Sequence, residues 1–290
     1  MNNELPADDQ PITLFLYGGG SRFPAFVGAI AAIEEKGLKI GMVCGASTGS
    51  VVAALFAAGV SPREMLAKTL ECGFDGFKDF SIGSLLFDGG LYRGDALETW
   101  LDNLFQGRTF KDDFPIPLQV VATDIRSRTP VIFSRETTPD VKVATAVRFS
   151  LGLPLLFGYR RFFHEGRQHI LVDGSLTANV VEDDLRQRGR TLVLRTISKR
   201  SRHTLAEEKF TLFRYARALL EILIHAMEKE FIKGERWRDS ILIYCGAIAS
   251  TKYPLTPAEI RHLFDQGHQQ AGRYLDYKWG GMGARGDGRR

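Results

Sequence analysis

The sequence predicts an α/β fold of three layers, with a mostly parallel central sheet between helices. Three observations predict it. From residue 12 onward, apolar runs of strand length alternate with helical patterns, strand–helix–strand–helix, across short joints. Glycines stand where strands end and where helices stop. At 290 residues with 44% hydrophobic and 25% charged side chains, the chain can bury a large core without disulfides.

Each element follows from its own pattern. ITLFLY (12–17) reads as a buried strand, and PAFVGAIAAIEEKG (24–37) as a helix with Pro24 in its first turn and Gly37 at its end. IGMVCG (40–45) is a second strand and STGSVVAALFAAG (47–59) a second helix. Residues 41–61 carry no charge, but the small, broken CGASTGS at their centre argues for strand, turn and helix rather than a membrane span. Residues 61–105 read as helices around an irregular middle rich in Phe and Gly. LQVVATDI (118–125), TPVIFS (129–134), HILVDGS (169–175), TLVLRTIS (191–198) and SILIYCG (240–246) read as strands. VKVATAVRFSLGLP (141–154) opens as a helix and ends at a proline. A long helix is expected over 205–233, with Phe213, Ala216, Leu220, Leu223, Met227 and Phe231 on one stripe, and a last one over 256–275. The expected organisation is a flexible N-terminus (1–11), one catalytic domain (12–278) and a disordered basic tail (279–290).

Composition excludes several classes. The net charge of +4 is too mild for a nucleic-acid footprint. Cys44, Cys72 and Cys245 are far apart and odd in number, which fits neither a metal site nor a disulfide framework. No cofactor or metal ligand set is expected. The N-terminal MNNELPADDQP lacks a basic and an apolar region, so the expectation is a cytoplasmic chain with no signal peptide or transmembrane span.

The sharpest chemical signal is GASTG, Gly45 to Gly49, a G-x-S-x-G between a predicted strand and a predicted helix. A serine on so sharp a turn needs small neighbours two residues away on either side. Its hydroxyl then stands at the carboxyl end of the sheet, where open α/β folds place their sites. Ser47 is therefore the candidate nucleophile. Gly18, Gly19 and Gly20 follow the first strand and offer several N–H groups with no side chain in the way. Such donors stabilise an oxyanion, and losing one costs ~3 kcal/mol. A dinucleotide cradle needs G-x-G-x-x-G, whereas Phe23 stands where the last glycine belongs, and no P-loop Lys-Ser/Thr pair is present.

A serine needs a base. His164, His169, His203, His225, His262 and His268 lie in no segment that marks them for the role. Asp173 instead ends a strongly apolar strand, ILVDGS, where a lone charge is expensive without a partner. Asp88 in LLFDGGL is a rival, but it lies in the irregular region and lacks so clean a strand.

On these residues the sequence resembles the patatin-like phospholipases, as a bacterial member. GGGSR (18–22) matches the family's oxyanion loop, GASTG its nucleophile elbow and DGS (173–175) its Asp-Gly-Gly/Ala motif, in the family's order. VATAVRFSLGLPLLF (143–157) resembles its helix before the acid-bearing strand, and Asn179-Val180 falls where many members have Asn-Pro. The resemblance implies a Ser47–Asp173 dyad with no histidine, with Asp173 taking the proton as Ser47 attacks an ester carbonyl. It implies an oxyanion hole from Gly18 to Arg22, formed by the N–H groups of Gly19 and Gly20 together with Ser21. Arg22 would steady the loop or face a lipid phosphate. Tyr17, Phe23, Ser175 and Val180 depart from the family's usual residues.

The implied substrate is a phospholipid or lysophospholipid. CGFDGFKDFSIGSLLF (72–87) and LGLPLLFGYRRFF (151–163) are expected mainly to bury as loops, with Arg160 and Arg161 beside Phe162 and Phe163 as candidates for peripheral membrane contact. The alternative function is a regulatory or nucleotide-responsive binding module on the same fold, with the serine idle.

Overall fold

The computed structural model describes residues 11–71, 88–198 and 239–279, together with residues 79, 81, 84, 215, 218 and 222. The helix expected over 205–233, with its apolar stripe, lies outside the described residues apart from three positions, as do Cys72, His203, His225 and both chain ends.

Among the described residues, eight strands form the main sheet, in the order β10-β9-β1-β2-β4-β8-β7, with β5 paired to β4. The strands are β1 (Ile12–Tyr17), β2 (Ile40–Ala46), β4 (Leu118–Asp124), β5 (Thr129–Phe133), β7 (Arg160–His164), β8 (Arg167–Val172), β9 (Thr191–Ile197) and β10 (Ser240–Tyr244). Pairing from β10 through β4 is parallel, and β5, β8 and β7 are antiparallel. A separate two-stranded sheet joins β3 (Gly90–Tyr92) to β6 (Leu155–Phe157). The expected mostly parallel sheet is present, with an antiparallel edge in which β5 and β8 fall on expected strands and β7 on a segment expected to be loop. There the alternation in Arg160–His164 carries Phe162 inward and Phe163 outward.

The alternation in each central strand serves two faces. Leu14, Leu16, Val43, Val120, Ala122, Leu192 and Leu194 join the larger core. Phe15, Cys44, Ala46, Val121 and Val193 join a smaller core on the other face. The larger core takes in α1 (Pro24–Glu35), α2 (Thr48–Ala57), α3 (Pro62–Glu71), α4 (Asp95–Leu104), α5 (Val143–Ser150) and α7 (Pro257–Trp279). The smaller packs on α6 (Ala178–Arg188) through Ala178, Val181 and Leu185. Local signals set the helix ends. Ser61 with Glu64 and Thr256 with Glu259 form reciprocal capping boxes at α3 and α7. Helices α1 and α7 cross at glycine: a methyl on Gly28 would lie 1.9 Å from the Phe264 carbonyl oxygen.

The smaller face also buries charge. Tyr17 and Arg195 are register partners on β1 and β9, and the Arg195 guanidinium lies 3.6 Å from the Tyr17 ring centroid. Arg195 pairs with the fully buried Glu182 of α6, which also accepts a bond from Arg186 at 3.0 Å.

Candidate active site

The site lies at the carboxyl ends of β1, β2 and β4. Ser47 joins β2 to α2 in the left-handed half of backbone space, with φ 53° and ψ −136°. A non-glycine residue is held there only by its surroundings. A methyl on Gly45 would lie 2.5 Å from Ser50 Cα, and one on Gly49 would lie 2.4 Å from the Leu16 carbonyl oxygen. These clashes are the physical reason for glycine at both flanks of the elbow. The Ser47 N–H donates to Ser150 Oγ at 2.9 Å, and Ser150 Oγ donates to the Val121 carbonyl at 2.6 Å. The Ser47 carbonyl accepts from Ser50 Oγ at 2.6 Å.

Asp173 follows β8 and is 1% exposed. Its Oδ2 accepts from Ser47 Oγ at 2.7 Å, and its Oδ1 accepts from Ser175 Oγ at 2.6 Å and Ser175 N–H at 2.9 Å. Thr123 Oγ1 donates to the Asp173 carbonyl at 2.8 Å. Burial pushes the carboxyl above its ordinary range, and the Ser175 and Ser47 hydroxyls pull it back. Gly174 permits the turn, because a methyl there would lie 1.9 Å from the Val121 carbonyl oxygen.

Gly18, Gly19 and Gly20 all have positive φ, at 65°, 112° and 55°. The loop is tied to the elbow on one side: Gly18 N–H donates to Ala46, while Gly49 N–H and Thr48 Oγ1 donate to the Gly18 carbonyl. On the other side it is tied to the segment before α7. Ser21 N–H donates to the Ser250 carbonyl at 2.8 Å and Ser21 Oγ to the Ala249 carbonyl at 2.9 Å. The Arg22 N–H donates to the Gly19 carbonyl at 3.1 Å. Three of the five N–H groups assigned to an oxyanion hole are thus engaged elsewhere, those of Gly18, Ser21 and Arg22. Those of Gly19 and Gly20 make no hydrogen bond among the described residues. The Arg22 side chain is 2% exposed, and its Nε lies 3.4 Å from the Gly19 carbonyl oxygen. Of the two roles expected of Arg22, this contact fits steadying the loop.

The structure separates the rivals. Asp88 sits in a turn whose N–H reaches the Ser84 carbonyl and whose carbonyl accepts from Tyr159. His169 bonds Asp124 and His268 bonds Glu35. Arg160 is held by Asp95 and the Arg93 carbonyl, so it is not free for a membrane. Among the described residues, no group of three or more His, Cys, Asp or Glu could hold a metal ion, and no helix is long and apolar enough to cross a membrane.

Ser150, Thr123 and Tyr17 support the site and carry no motif. The one available signal was a polar residue in an apolar stretch: Ser150 in AVRFSLG and Thr123 in VVATDI.

Fold and site define a class: a hydrolase of three α/β/α layers with a serine elbow at the carboxyl edge of its sheet. Residues 14–186 match the sequence model of the patatin-like phospholipase family. The chain belongs to that family, and it is a lipid hydrolase. It is 26% identical over 278 residues to the protein YqhO of Bacillus subtilis (strain 168), covering 89% of this chain and 96% of that one. It is 28% identical over 181 residues to the "Probable lipid hydrolase 463L" of Invertebrate iridescent virus 6, covering 58% and 60%. The structure of VipD from Legionella pneumophila shares the fold, with a TM-score of 0.56 at 16% identity over 92% of this chain and 67% of that chain.

Proposed function

We propose that this chain releases fatty acid from phospholipids or lysophospholipids by acyl transfer to Ser47, with Asp173 as the base. The observation that supports the reading is the 2.7 Å bond between Ser47 Oγ and the buried Asp173 carboxylate. As Ser47 Oγ bonds to the acyl carbon, its proton passes to Asp173 Oδ2. The carbonyl oxygen becomes an oxyanion, for which the Gly19 and Gly20 N–H groups are the candidate donors. Collapse breaks the ester C–O bond, and the leaving alcohol takes the proton from Asp173. Water then attacks the acyl-serine while Asp173 accepts its proton, and return of that proton to Ser47 Oγ closes the cycle. An exposed aspartate is a weak base; burial strengthens this one.

The β7–β8 hairpin is the membrane-facing edge in this reading. Phe163 pairs with Gln168 three residues past the Leu171–Asp124 pair where β4 ends. The hairpin therefore overhangs the carboxyl edge by about 10 Å. Phe163 is 72% exposed there, and Arg161 and Arg167 are exposed beside it.

Ser47→Ala and Asp173→Asn should each lower hydrolysis of a soluble short-chain ester at least ~10³-fold with the fold intact by circular dichroism. A fluorophosphonate probe should label wild type and not Ser47→Ala. A probe that leaves wild type unlabelled would overturn Ser47 as the nucleophile and favour the binding-module reading of this site. Phe163→Asp with Arg161→Glu should lose hydrolysis of anionic vesicles and keep that of the soluble ester.

A further inference from the structure

The two oxygens of Asp173 face different hydroxyls. Oδ2 faces Ser47, while Oδ1 takes both the side chain and the N–H of Ser175. A glycine or alanine at position 175 would supply the N–H alone. Ser175 is itself held. Its carbonyl accepts from Tyr17 OH at 3.1 Å, and its Cβ lies 3.9 Å from where a methyl on Gly18 would stand. Tyr17 is clamped by the Arg195 guanidinium over its ring, with Glu182 and Arg186 behind it. A line of contacts thus runs from buried Glu182 through Arg195, Tyr17 and Ser175 to the carboxylate.

We propose that Ser175 is a positioning residue for the Ser47–Asp173 pair: its hydroxyl stabilises the ionised carboxylate, and so sets the pH above which the pair can work, while Tyr17 keeps it in place. The proposal rests on the Ser47–Asp173 reading. Its physics is a contest between two effects on one group. Removal from water favours the protonated acid, which cannot accept the serine proton. A hydroxyl donor favours the carboxylate, which can.

The groups around the carboxylate leave Ser175 in this role. The elbow contributes Ser47, β1 contributes Tyr17, and the segment before α7 contributes Tyr253, whose phenol feels the Asp173 charge. A phenol is uncharged at neutral pH, and burial raises that of Tyr17 further. From β4, Thr123 reaches the Asp173 carbonyl rather than the carboxylate. From α5, Ser150 serves the Ser47 N–H. No lysine, arginine or histidine among the described residues donates a hydrogen bond to the carboxylate.

The test is the pH profile of kcat/KM on a soluble ester for wild type, Ser175→Ala, Ser175→Thr and Tyr17→Phe. Ser175→Ala should move the acidic limb up by about one pH unit, the worth of one hydrogen bond to a charged group. Ser175→Thr should return it, and Tyr17→Phe should move it less, in the same direction. A Ser175→Ala profile lowered equally at all pH values, or a limb that stays in place, overturns the proposal. A second measurement needs no turnover: carboxyl NMR titration of Asp173 in Ser47→Ala, with and without Ser175→Ala. A titration shifted by Ser175→Ala, beside a wild-type chain that hydrolyses no ester, would sink the enzymatic reading and leave the Ser175 effect standing. An unmoved titration beside intact hydrolysis would sink the Ser175 role alone.

Discussion

The loop that carries Ser47 and the loop that carries Asp173 differ in backbone strain and in how their side chains are held. Ser47 sits at φ 53°, ψ −136°, a conformation that glycines on both sides make room for and that Ser150 and Ser50 fix through its own backbone. Asp173 sits at φ −49°, ψ 129°, ordinary extended backbone; Thr123 and Gly152 hold its backbone, and two serine hydroxyls also fix its side chain. One loop is strained and aims an atom. The other is relaxed and adjusts the affinity of an oxygen for a proton. Strain demands a particular backbone, so it leaves glycines in the sequence. Hydrogen bonds demand only a hydroxyl within 3 Å, which many residues distant in the chain can supply.

The largest test of that contrast is where the two loops agree. Both press a glycine against a backbone carbonyl, Gly49 on Leu16 and Gly174 on Val121. Gly49→Ala and Gly174→Ala should each destabilise by ~3 kcal/mol or fail to fold, by urea unfolding. Gly189→Ala is the control. Its φ of 174° is extended and a methyl there meets nothing within 4 Å, so it should stay within about 0.5 kcal/mol of wild type. A tolerated Gly174→Ala would mean that only the elbow is built on close backbone approach.

A smaller effect separates the loops. Ser150→Ala removes a buried hydroxyl that serves two backbone groups at once, Ser47 N–H and the Val121 carbonyl. It should cost ~2 kcal/mol and lower kcat with KM little changed, since the elbow relaxes. Thr123→Val removes one bond to the Asp173 carbonyl and one to Thr177. It should cost ~1 kcal/mol with a smaller loss of kcat, because the carboxylate keeps its serine donors. Equal effects on kcat would erase the distinction between a strained loop and a relaxed one.

The same contrast explains what the residue pattern could tell. The order of strands and helices, the elbow and the candidate acid were legible because alternation, glycine and a lone charge on an apolar strand are local signals. The parallel sheet followed from them, but its antiparallel edge did not. Arg160–His164 reads as loop until its partner, Arg167–Val172, is folded beside it. Ser150 lies 103 residues from the N–H that it accepts, and Ser250 lies 229 positions from Ser21. No local pattern marks such pairs. Tyr17 reads as a mere departure until Arg195 of β9 stands across from it. Arg22 reads equally as a brace for the loop or a charge for a ligand, and only the fold shows it buried with its Nε toward the Gly19 carbonyl.

The smallest effect carries the opposite sign. Asp173 is buried, and burial holds its carboxyl above the ordinary 3.8 despite the serine donors. A folded-state pKa above the unfolded one means that the native state binds the proton more tightly. The stabilisation this gives is complete below the unfolded value and is lost as pH rises through the folded one. At neutral pH the carboxylate is therefore a net cost to the fold. Asp173→Asn should melt above wild type at pH 7, and the gain should vanish as the pH falls below the usual carboxylate value. Ser47→Ala removes one donor from the same carboxylate and should lower the melting temperature at pH 7 relative to pH 4. Were Asp173→Asn less stable than wild type at pH 7, the acid loop would be a structural clasp like the elbow, and the two loops would not differ in kind.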